Sequence, residues 1–201
     1  MERERRIQLP DGTDRVGRIE PTFDRGVARH DEVWDGDYVV MPVRDVEHQR
    51  VVSRICYTLS FGLEGDGTRV CLPGANVSDR TIGWLEEFRI PDVVVCEAAA
   101  AKEIATHLVR GIELVVEVAT PGDRCREKID FYRHVGVKEV VIVDRAPWRI
   151  ERHDLADGGA VAAAVGDSVQ TASPAATWHL TAVDASPHVV VDVAGRTTAL
   201  D

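Results

Sequence analysis

Two apolar segments that follow one another in the chain constrain the fold most strongly. The segments IELVVEV (112–118) and KEVVIVD (138–144) are short and rich in β-branched residues, which is typical of strands. The second segment is apolar on both of its faces, so it predicts a central strand that is covered on both sides. The chain therefore needs a sheet with further structure packed against each face.

The remaining patterns predict two helices and several more strands. Apolar residues recur at helical spacing over 46–63, directly after Asp45, which is a suitable N-cap. A second helix is predicted from about Asp123 to Val135. Further strands are predicted at 37–43, 68–72, 90–97 and 188–193, and a helical turn is predicted within 98–110. An antiparallel pair of strands is predicted at 147–155 and 160–166 around Asp157-Gly158-Gly159. Apart from the strand at 188–193, the tail from Ser173 is predicted to be irregular. This order predicts a single α+β domain with a mixed sheet and flanking helices.

The composition excludes several classes of protein. The chain has 201 residues, of which 44% are hydrophobic and 29% charged, as expected of a soluble globular domain. No apolar run approaches the roughly 20 residues of a membrane span, and the N-terminus lacks the apolar stretch of a signal peptide, so we expect a cytoplasmic protein without a membrane partner. The net charge of −10 disfavours a protein that holds nucleic acid by charge alone.

The four cysteines give no clear chemistry from their spacing. Cys56, Cys71, Cys96 and Cys125 lie far apart with no C-x-x-C pair, which argues against a zinc ribbon and gives no disulfide framework. Cys125 lies between two arginines that could lower the pKa of its thiol, but an ordinary helix residue is the favoured interpretation.

A carboxylate inside an apolar strand is the main indication of a site. Glu117 lies within the run 114–119, Asp92 begins the preceding strand, and Lys128 lies on the following helix. A charge in a dry strand is costly unless it is paired or binds a metal, and two neighbouring carboxylates would repel. A divalent cation resolves both problems, and oxygen ligands suit Mg²⁺ or Mn²⁺. Lys128 could then stabilise charge or orient a water, with Arg124 and Tyr132 on the same helix face.

Each of these residues also has an ordinary structural explanation. Asp92 could accept backbone hydrogen bonds at a strand start, Glu117 could pair with an arginine, and Lys128 could be a solvated helix residue. The three residues in this order favour the functional interpretation.

Four motifs carry a resemblance to a known family. They are DEVWDGDYVVMP (31–42), EHQRVV (47–52), IPDVVV (90–95) and LVVEVATP…EKIDFYRHVGVKEVVIVD (114–144). Over about residues 28–150 the chain resembles the Uma-two type family of restriction endonucleases, in the PD-(D/E)xK nuclease superfamily. The resemblance implies a restriction-endonuclease-like core at 28–150 within one domain (1–201), with an N-terminal arm at 1–22 and a β-rich C-terminal extension at 151–201.

The resemblance also implies catalytic roles for Asp92, Glu117 and Lys128, with the two carboxylates as metal ligands. The superfamily's lysine position is Ala119 here, and this family places its lysine on the following helix, at Lys128. The family's aspartate four residues before that lysine is replaced by Arg124, although Asp123 is adjacent and the preceding loop is shortened.

Supporting roles are implied for four more residues. Glu32 matches the glutamate of the family's Tyr-Glu-Leu-x-Asp-Gly pattern, and His48 matches the histidine of its helix start; Glu47 is next to it, and Tyr132 follows Lys128 by one turn. A salt bridge for Glu32 and a capping or surface position for His48 and Glu47 are the alternatives.

The expected function is a Mg²⁺- or Mn²⁺-dependent endonuclease that hydrolyses DNA, as a homodimer because cutting both strands of a duplex needs two sites. The alternative is a catalytically inactive binding or regulatory module with the nuclease fold, which the acidic net charge and Arg124 favour. A serine hydrolase has little support, because the chain lacks a G-x-S-x-G motif.

Overall fold

The computed structural model describes residues 4–17, 30–156, 159–163, 167–183 and 186–200. Within them the chain forms three β-sheets and three α-helices, which confirms the predicted mixed α+β class. The helices are α1 (Val46–Gly62), α2 (Ala98–Glu103) and α3 (Ile129–His134). The strands are β1 (Arg5–Gln8), β2 (Asp14–Gly17), β3 (Glu32–Trp34), β4 (Asp37–Val39), β5 (Arg69–Pro73), β6 (Val77–Ser78), β7 (Phe88–Arg89), β8 (Val93–Glu97), β9 (Ile112–Ala119), β10 (Glu139–Arg145), β11 (Trp148–Asp154), β12 (Gly159–Ala163), β13 (Ser168–Ala172), β14 (Ala175–Val183), β15 (Ser186–Val193) and β16 (Arg196–Ala199).

The central sheet has the strand order β12-β11-β10-β9-β8-β5. Strands β9 and β10 run parallel and every other pair in this sheet is antiparallel, so the sheet is mixed as predicted. Val140, Val141, Ile142 and Val143 of β10 are fully buried, because α1 and the C-terminal strands cover one face of the sheet and α3 covers the other. The two apolar segments, β9 and β10, thus form the middle of the central sheet.

Helix α1 begins as the sequence predicts. The Asp45 side chain accepts a hydrogen bond of 2.6 Å from the backbone N–H of His48, which satisfies one of the free amides of the first turn. The apolar residues at helical spacing then pack against the central sheet, among them Val52, Ile55 and Leu59. His48, in the first turn, is consequently held near the start of strand β8.

A second, smaller sheet has the order β2-β1-β4-β3-β7-β6 and its own apolar cluster. Its strands β1 and β2 form a hairpin within the segment where a loose N-terminal arm or short edge element is predicted. Residues 1–3 and 18–22 of that segment lie outside the described residues. Strand β3 carries Glu32 toward the central sheet, where it meets the site described below.

The prediction of an irregular tail with a single strand is wrong. Residues from 168 onward form a four-stranded antiparallel sheet, β13-β14-β15-β16, that packs on α1 and the central sheet. Trp178 and Leu180 alternate with polar residues along β14 and point into the core. This two-residue alternation is typical of a half-buried strand. Pro174 and Pro187 obscure this pattern, but they lie just before β14 and near the start of β15, where a missing N–H is tolerated. The predicted turn at 157–158 lies outside the described residues.

The predicted helix at about 123–135 is divided in two. Residues Cys125–Lys128 form a single 3-10 turn, and α3 then runs over Ile129–His134. The tight turn arises because Glu127 N–H donates to the Arg124 carbonyl three residues back. Among the helices of the described ranges, none has the length and apolar character that crossing a membrane requires.

Candidate active site

Glu117 lies on the face of strand β9 that α3 covers. Along β9 the side chains of Val116 and Val118 belong to the apolar cluster on the α1 side, while Val115 and Ala119 belong to the cluster on the α3 side. Because side chains alternate along a strand, Glu117 shares the α3 side with the second pair. Its side chain is almost fully buried, so the carboxylate needs partners within the protein.

Lys128 supplies one of these partners. Its side chain is only 1% exposed, and Nζ lies 3.1 Å from Oε1 of Glu117 and 2.8 Å from Oε1 of Glu32. The hydroxyl of Tyr132 donates to the same Oε1 of Glu117 at 2.5 Å. Lys128 is therefore not a solvated helix residue, and the partner of Glu117 is a lysine instead of an arginine.

Glu32 is held in place by three donors. Oε1 accepts hydrogen bonds from Lys128 and from the backbone N–H of Ile90 at 2.9 Å, and Oε2 accepts one of 2.6 Å from the indole of Trp34. Its contact with Lys128 is the salt bridge that was the alternative explanation for this residue. With both oxygens engaged, Glu32 is suited to orienting the lysine.

Asp92 lies immediately before strand β8, opposite Glu117. Since Val93 pairs with Val116, the antiparallel register places Asp92 across from Glu117. Its Oδ2 accepts a hydrogen bond of 2.7 Å from the backbone N–H of Val118 and lies 3.3 Å from Nε2 of His48. Asp92 thus accepts a backbone hydrogen bond, as its ordinary structural explanation requires, and also faces the rest of the cluster.

Arg44 contacts the other oxygen of Asp92. Its Nη1 lies 2.8 Å from Oδ1, in an ion pair that lacks hydrogen-bond geometry, and its Nη2 donates to the Ile90 carbonyl at 3.3 Å. Arg44 immediately precedes the N-cap of α1, so the start of the helix brings both Arg44 and His48 to Asp92.

The electrostatic environment differs between the two carboxylates. Burial raises the pKa of Glu117 to about 8, and the charges of Asp92 and Glu32 act in the same direction, against the effect of Lys128. Burial also acts to raise the pKa of Asp92, but His48 and Arg44 outweigh it, so this pKa is lowered. Asp92 is consequently a carboxylate at neutral pH, whereas Glu117 needs added positive charge to ionise fully.

Lys128 is a permanent cation in this environment. Burial alone would lower the pKa of its ammonium group, but Glu117 and Glu32 outweigh burial and raise the pKa above the ordinary value of a lysine. The ammonium therefore stays protonated and can donate hydrogen bonds or offset negative charge, but it is not suited to accept a proton.

A small cavity lies beside these side chains. It measures about 10 Å³, about the space that one water molecule needs. Its polar wall consists of Arg44, His48, Glu117, Thr120, Asp123 and Lys128. Nδ1 of His48 is buried and has no hydrogen-bond partner within the described part of the chain, so it is available to a group that enters the cavity.

The donor set fits a hard cation that keeps most of its water. No three His, Cys, Asp or Glu side chains of the described residues come together as a metal site of their own. Mg²⁺ is commonly held by one or two carboxylates and completes its shell with water and substrate phosphates. Asp92 and Glu117 could supply two such ligands, because both hydrogen bonds to Glu117 go to Oε1, provided that Arg44 gives up Oδ1 of Asp92.

Two predicted positions lie outside the cluster. Glu47 is 67% exposed and forms an ion pair of 3.4 Å with Arg145, so the structure does not bring it to Asp92. Arg124 donates to Glu127 and to Gln8 and stacks on Trp34, so it does not share a face with Lys128 and Tyr132. The shared-face prediction fails because the 3-10 turn after Arg124 changes the angular spacing.

Three residues of the site were not selected from the sequence. The fold brings three further residues next to the site: Arg44, Asp123 and Trp34. Asp123 lines the cavity, where burial raises the pKa of its carboxyl and Lys128 opposes that rise. Its position next to Arg124 was the only available signal in the sequence.

Comparisons with known proteins place the chain in a family. The family model Uma2, described as "Putative restriction endonuclease", matches residues 25–199 and confirms the resemblance. A crystal structure described as "a putative nuclease belonging to DUF820", from Anabaena variabilis ATCC 29413, is 12% identical with a TM-score of 0.55 over 66% of this chain and 75% of that chain, which shows a shared fold. No curated protein matches. Since the family model spans most of its sequence, the chain belongs to the Uma2 family.

Proposed function

We propose that the chain is a metal-dependent endonuclease that hydrolyses DNA phosphodiester bonds at Asp92, Glu117 and Lys128. The observation that carries the proposal is a fully buried lysine that lies between two carboxylates, Glu32 and Glu117, and lines a small cavity. A third carboxylate, Asp92, contacts His48 and Arg44, which line the same cavity. Buried charges of this kind are costly to a fold, and strongly shifted pKa values are frequent at catalytic sites.

The roles of the residues follow from their environments. Asp92 and Glu117 would hold Mg²⁺ or Mn²⁺, which when bound polarises the scissile phosphate and lowers the pKa of a coordinated water. Lys128 would offset the negative charge that develops on the phosphate oxygens or hold the attacking water. Its raised pKa supports these two roles and argues against a role as general base. Glu32 and Tyr132 would orient Lys128 and Glu117, since they hold these side chains from the side away from the cavity wall.

A pair of lysine variants tests the proposal. Lys128→Ala should reduce Mg²⁺-dependent nicking of supercoiled DNA by about a hundredfold or more, because one preorganised charge at a phosphoryl group is worth roughly that factor. Lys138→Ala is the matched control: Lys138 is 60% exposed, pairs with Glu113 alone among the described residues, and should leave nicking unchanged. Equal cleavage by both variants would reject the role of Lys128.

Folding of the variant needs a separate check. Removing one member of a buried charged cluster costs about 3–5 kcal/mol, so circular dichroism must show that Lys128→Ala is folded at the assay temperature. Glu117→Gln preserves the shape of the side chain and provides a second variant, in which both nicking and Mg²⁺ uptake should be lost.

A catalytically inactive binding or regulatory module is the second candidate. The specific observation in its favour is Arg44, whose guanidinium already neutralises the Asp92 oxygen that a cation would need. Calorimetric titration separates the two functions. Uptake of Mg²⁺ or Mn²⁺ near neutral pH, abolished in Asp92→Asn, supports the nuclease; no uptake of either ion supports the module.

The proposal includes two copies of the chain acting on one duplex, since each copy carries one site and double-strand cleavage needs two. Sedimentation of the protein with and without a short DNA duplex tests this part. A monomer in both conditions, with nicked but no linear product, would restrict the activity to one strand.

A further inference from the structure

Two cysteines that are well separated in the sequence are in contact in the structure. Cys56 on α1 and Cys71 on β5 are 15 positions apart, and their sulfur atoms lie 3.6 Å from each other. Both side chains are partly exposed, whereas Cys96 and Cys125 are buried. The expectation that the cysteines provide no disulfide framework considered only their spacing in the sequence, and the fold brings this pair together.

The packing of α1 on the edge of the central sheet explains the contact. Strand β5 is the last strand on this side of the sheet, and Cys71 pairs there with Val95 of β8. Val70 and Leu72 contact the apolar cluster on the α3 side, so Cys71 between them faces α1. Cys56 and Cys71 both pack against the α1-side cluster, so the packing of the core brings the two thiols together.

The two thiols have different acidities. The S–H of Cys71 donates to the sulfur of Cys56, and this hydrogen bond, with a smaller contribution from Ser60, lowers the pKa of Cys56 to about 7. The same contact raises the pKa of Cys71, and burial adds to the effect. The hydrogen bond thus favours the thiolate form of Cys56, with Cys71 as the neighbouring thiol.

We propose that Cys56 and Cys71 form a modification site that reacts with a low-molecular-weight disulfide and ends as an intramolecular disulfide. The Cys56 thiolate attacks one sulfur of that disulfide, forms a mixed disulfide with it, and releases the other half as a thiolate. Cys71, after losing its proton, attacks the Cys56 sulfur, forms the Cys56–Cys71 bond and releases the second half as a thiolate. The protein loses two hydrogens and the small disulfide is reduced to two thiols, so atoms and electrons balance.

The second step needs only a small movement. A disulfide has an S–S distance of about 2.05 Å, and the sulfurs start at 3.6 Å on a helix and a strand that pack against the same apolar cluster. The resulting bond would close a loop across the α1–β5 connection. Constraining this loop in the unfolded chain should raise the unfolding temperature of the oxidised protein.

This site is separate from the candidate active site. Cys56 follows His48 by eight residues on α1, a distance of about 12 Å along the helix axis, and neither Cys56 nor Cys71 lines the cavity. The inference therefore stands or fails independently of the nuclease proposal.

Oxidised glutathione tests the proposal on the folded, full-length protein. After incubation and removal of excess reagent, intact mass spectrometry should show a loss of about 2 Da with no retained glutathione, as formation of one internal disulfide requires. Peptide mapping without reduction should join the peptides that contain Cys56 and Cys71. Four free thiols after incubation, or a disulfide that includes Cys96 or Cys125, would overturn the proposal.

Cysteine variants distinguish the two roles. Cys71→Ser should stop at the first step and retain one glutathione on Cys56, and Cys56→Ser should react about tenfold more slowly, because burial still raises the pKa of the Cys71 thiol when Cys56 is replaced. Cys96→Ser is the control and should form the internal disulfide at the wild-type rate, since Cys96 is buried. Retained glutathione on the wild-type protein, or equal rates for Cys56→Ser and the wild type, would contradict the assigned order.

Discussion

At the residue scale, Arg44 is the side chain that would compete most directly with a cation at Asp92. Its guanidinium lies against Oδ1 of Asp92, while Oδ2 is already engaged by the Val118 amide and His48. A divalent cation that uses Asp92 must therefore compete with a positive charge that the chain itself supplies. If the proposed site binds Mg²⁺, its affinity should reflect how easily Arg44 moves away from Asp92.

Removing Arg44 should strengthen metal binding. We expect Arg44→Ala to lower the dissociation constant for Mg²⁺ about tenfold, a difference of about 1.4 kcal/mol, because Oδ1 of Asp92 becomes available. Calorimetric titration measures the change. Arg110→Ala serves as control, because Arg110 is exposed and pairs with Glu103. Unchanged or weaker binding in Arg44→Ala would show that the arginine does not compete with the cation.

The raised pKa of Glu117 should appear in the pH dependence of stability. The ordinary pKa of a glutamate, 4.5, applies to the unfolded chain, and burial raises it to about 8 in the fold. Between these values the unfolded state releases a proton that the folded state keeps, so this group lowers the free energy of unfolding as pH rises, by up to about 1.4 kcal/mol per pH unit. Glu117→Gln should lose this contribution.

Urea denaturation at several pH values between about 5 and 8, with a chelator present, measures the effect. The free energy of unfolding of the wild type should fall relative to that of Glu117→Gln as pH rises. Glu47→Gln is the control for loss of an exposed carboxylate and should follow the wild type. Parallel curves for the wild type and Glu117→Gln would show that Glu117 ionises normally.

The sequence indicated the residues at the centre of the cluster, such as Glu117, but not all of the residues around them, such as Arg44. Glu117 was recognisable because a charge within an apolar strand needs a partner, and the structure brings Lys128, Tyr132 and Glu32 to it. Arg44 gave no signal of this kind, because an arginine before a helix is ordinary at the surface and only the fold places it against Asp92. The functional roles of all these residues stay predictions until the variants are measured.

At the element scale, the first turn of α1 sets the position of the His48 side chain. Asp45 accepts a hydrogen bond from the His48 amide and also pairs with Arg145 at 3.1 Å. Adjacent residues on a helix point about 100° apart, so Glu47 faces solvent while His48 faces Asp92. Sequence proximity alone could not distinguish these two neighbours.

Removing the N-cap should weaken α1 and disturb His48 together. Asp45→Ala should lower the free energy of unfolding by about 1 kcal/mol through loss of the cap. Glu47→Ala changes the same turn at an exposed position and should alter stability by less than about 0.5 kcal/mol. Urea denaturation measures both, and similar losses in the two variants would mean that the Asp45 cap contributes no more than the exposed ion pair.

The position of a helix or strand was predictable where the apolar residues of its sequence recur at a clear helical or strand spacing. Helix α1 and strands β9 and β10 have clear apolar patterns, even though Glu117 lies within that of β9, and their predicted positions agree with the structure within a few residues. Strand β14 has an equally regular alternation, but prolines at both of its flanks favoured the wrong prediction of an irregular tail. Strand β3, only three residues long, is too short for any period to be read.

At the scale of the whole molecule, one apolar cluster joins three layers. It contains residues of α1, of the central strands β8 to β11, and of the C-terminal strands β13 to β15. Trp178 of β14 is fully buried within this cluster, and its indole N–H lies 3.4 Å from Oγ1 of Thr171. The C-terminal sheet therefore supplies part of the core on which α1 packs, and it should unfold together with the elements that carry the candidate site.

Replacing Trp178 tests whether the layers unfold as one unit. Trp178→Ala should lower the free energy of unfolding by about 3–5 kcal/mol, as expected for removing a large aromatic side chain from a core. Circular dichroism of the helices and fluorescence of the remaining tryptophans should shift to the same lower urea concentration, because α1 loses part of the surface it packs on. Ile82→Ala is the control, since Ile82 is 91% exposed and should leave both curves unchanged. If the helical signal of Trp178→Ala kept its wild-type midpoint, the C-terminal sheet would be an independent unit, and the position of His48 on α1 would owe nothing to it.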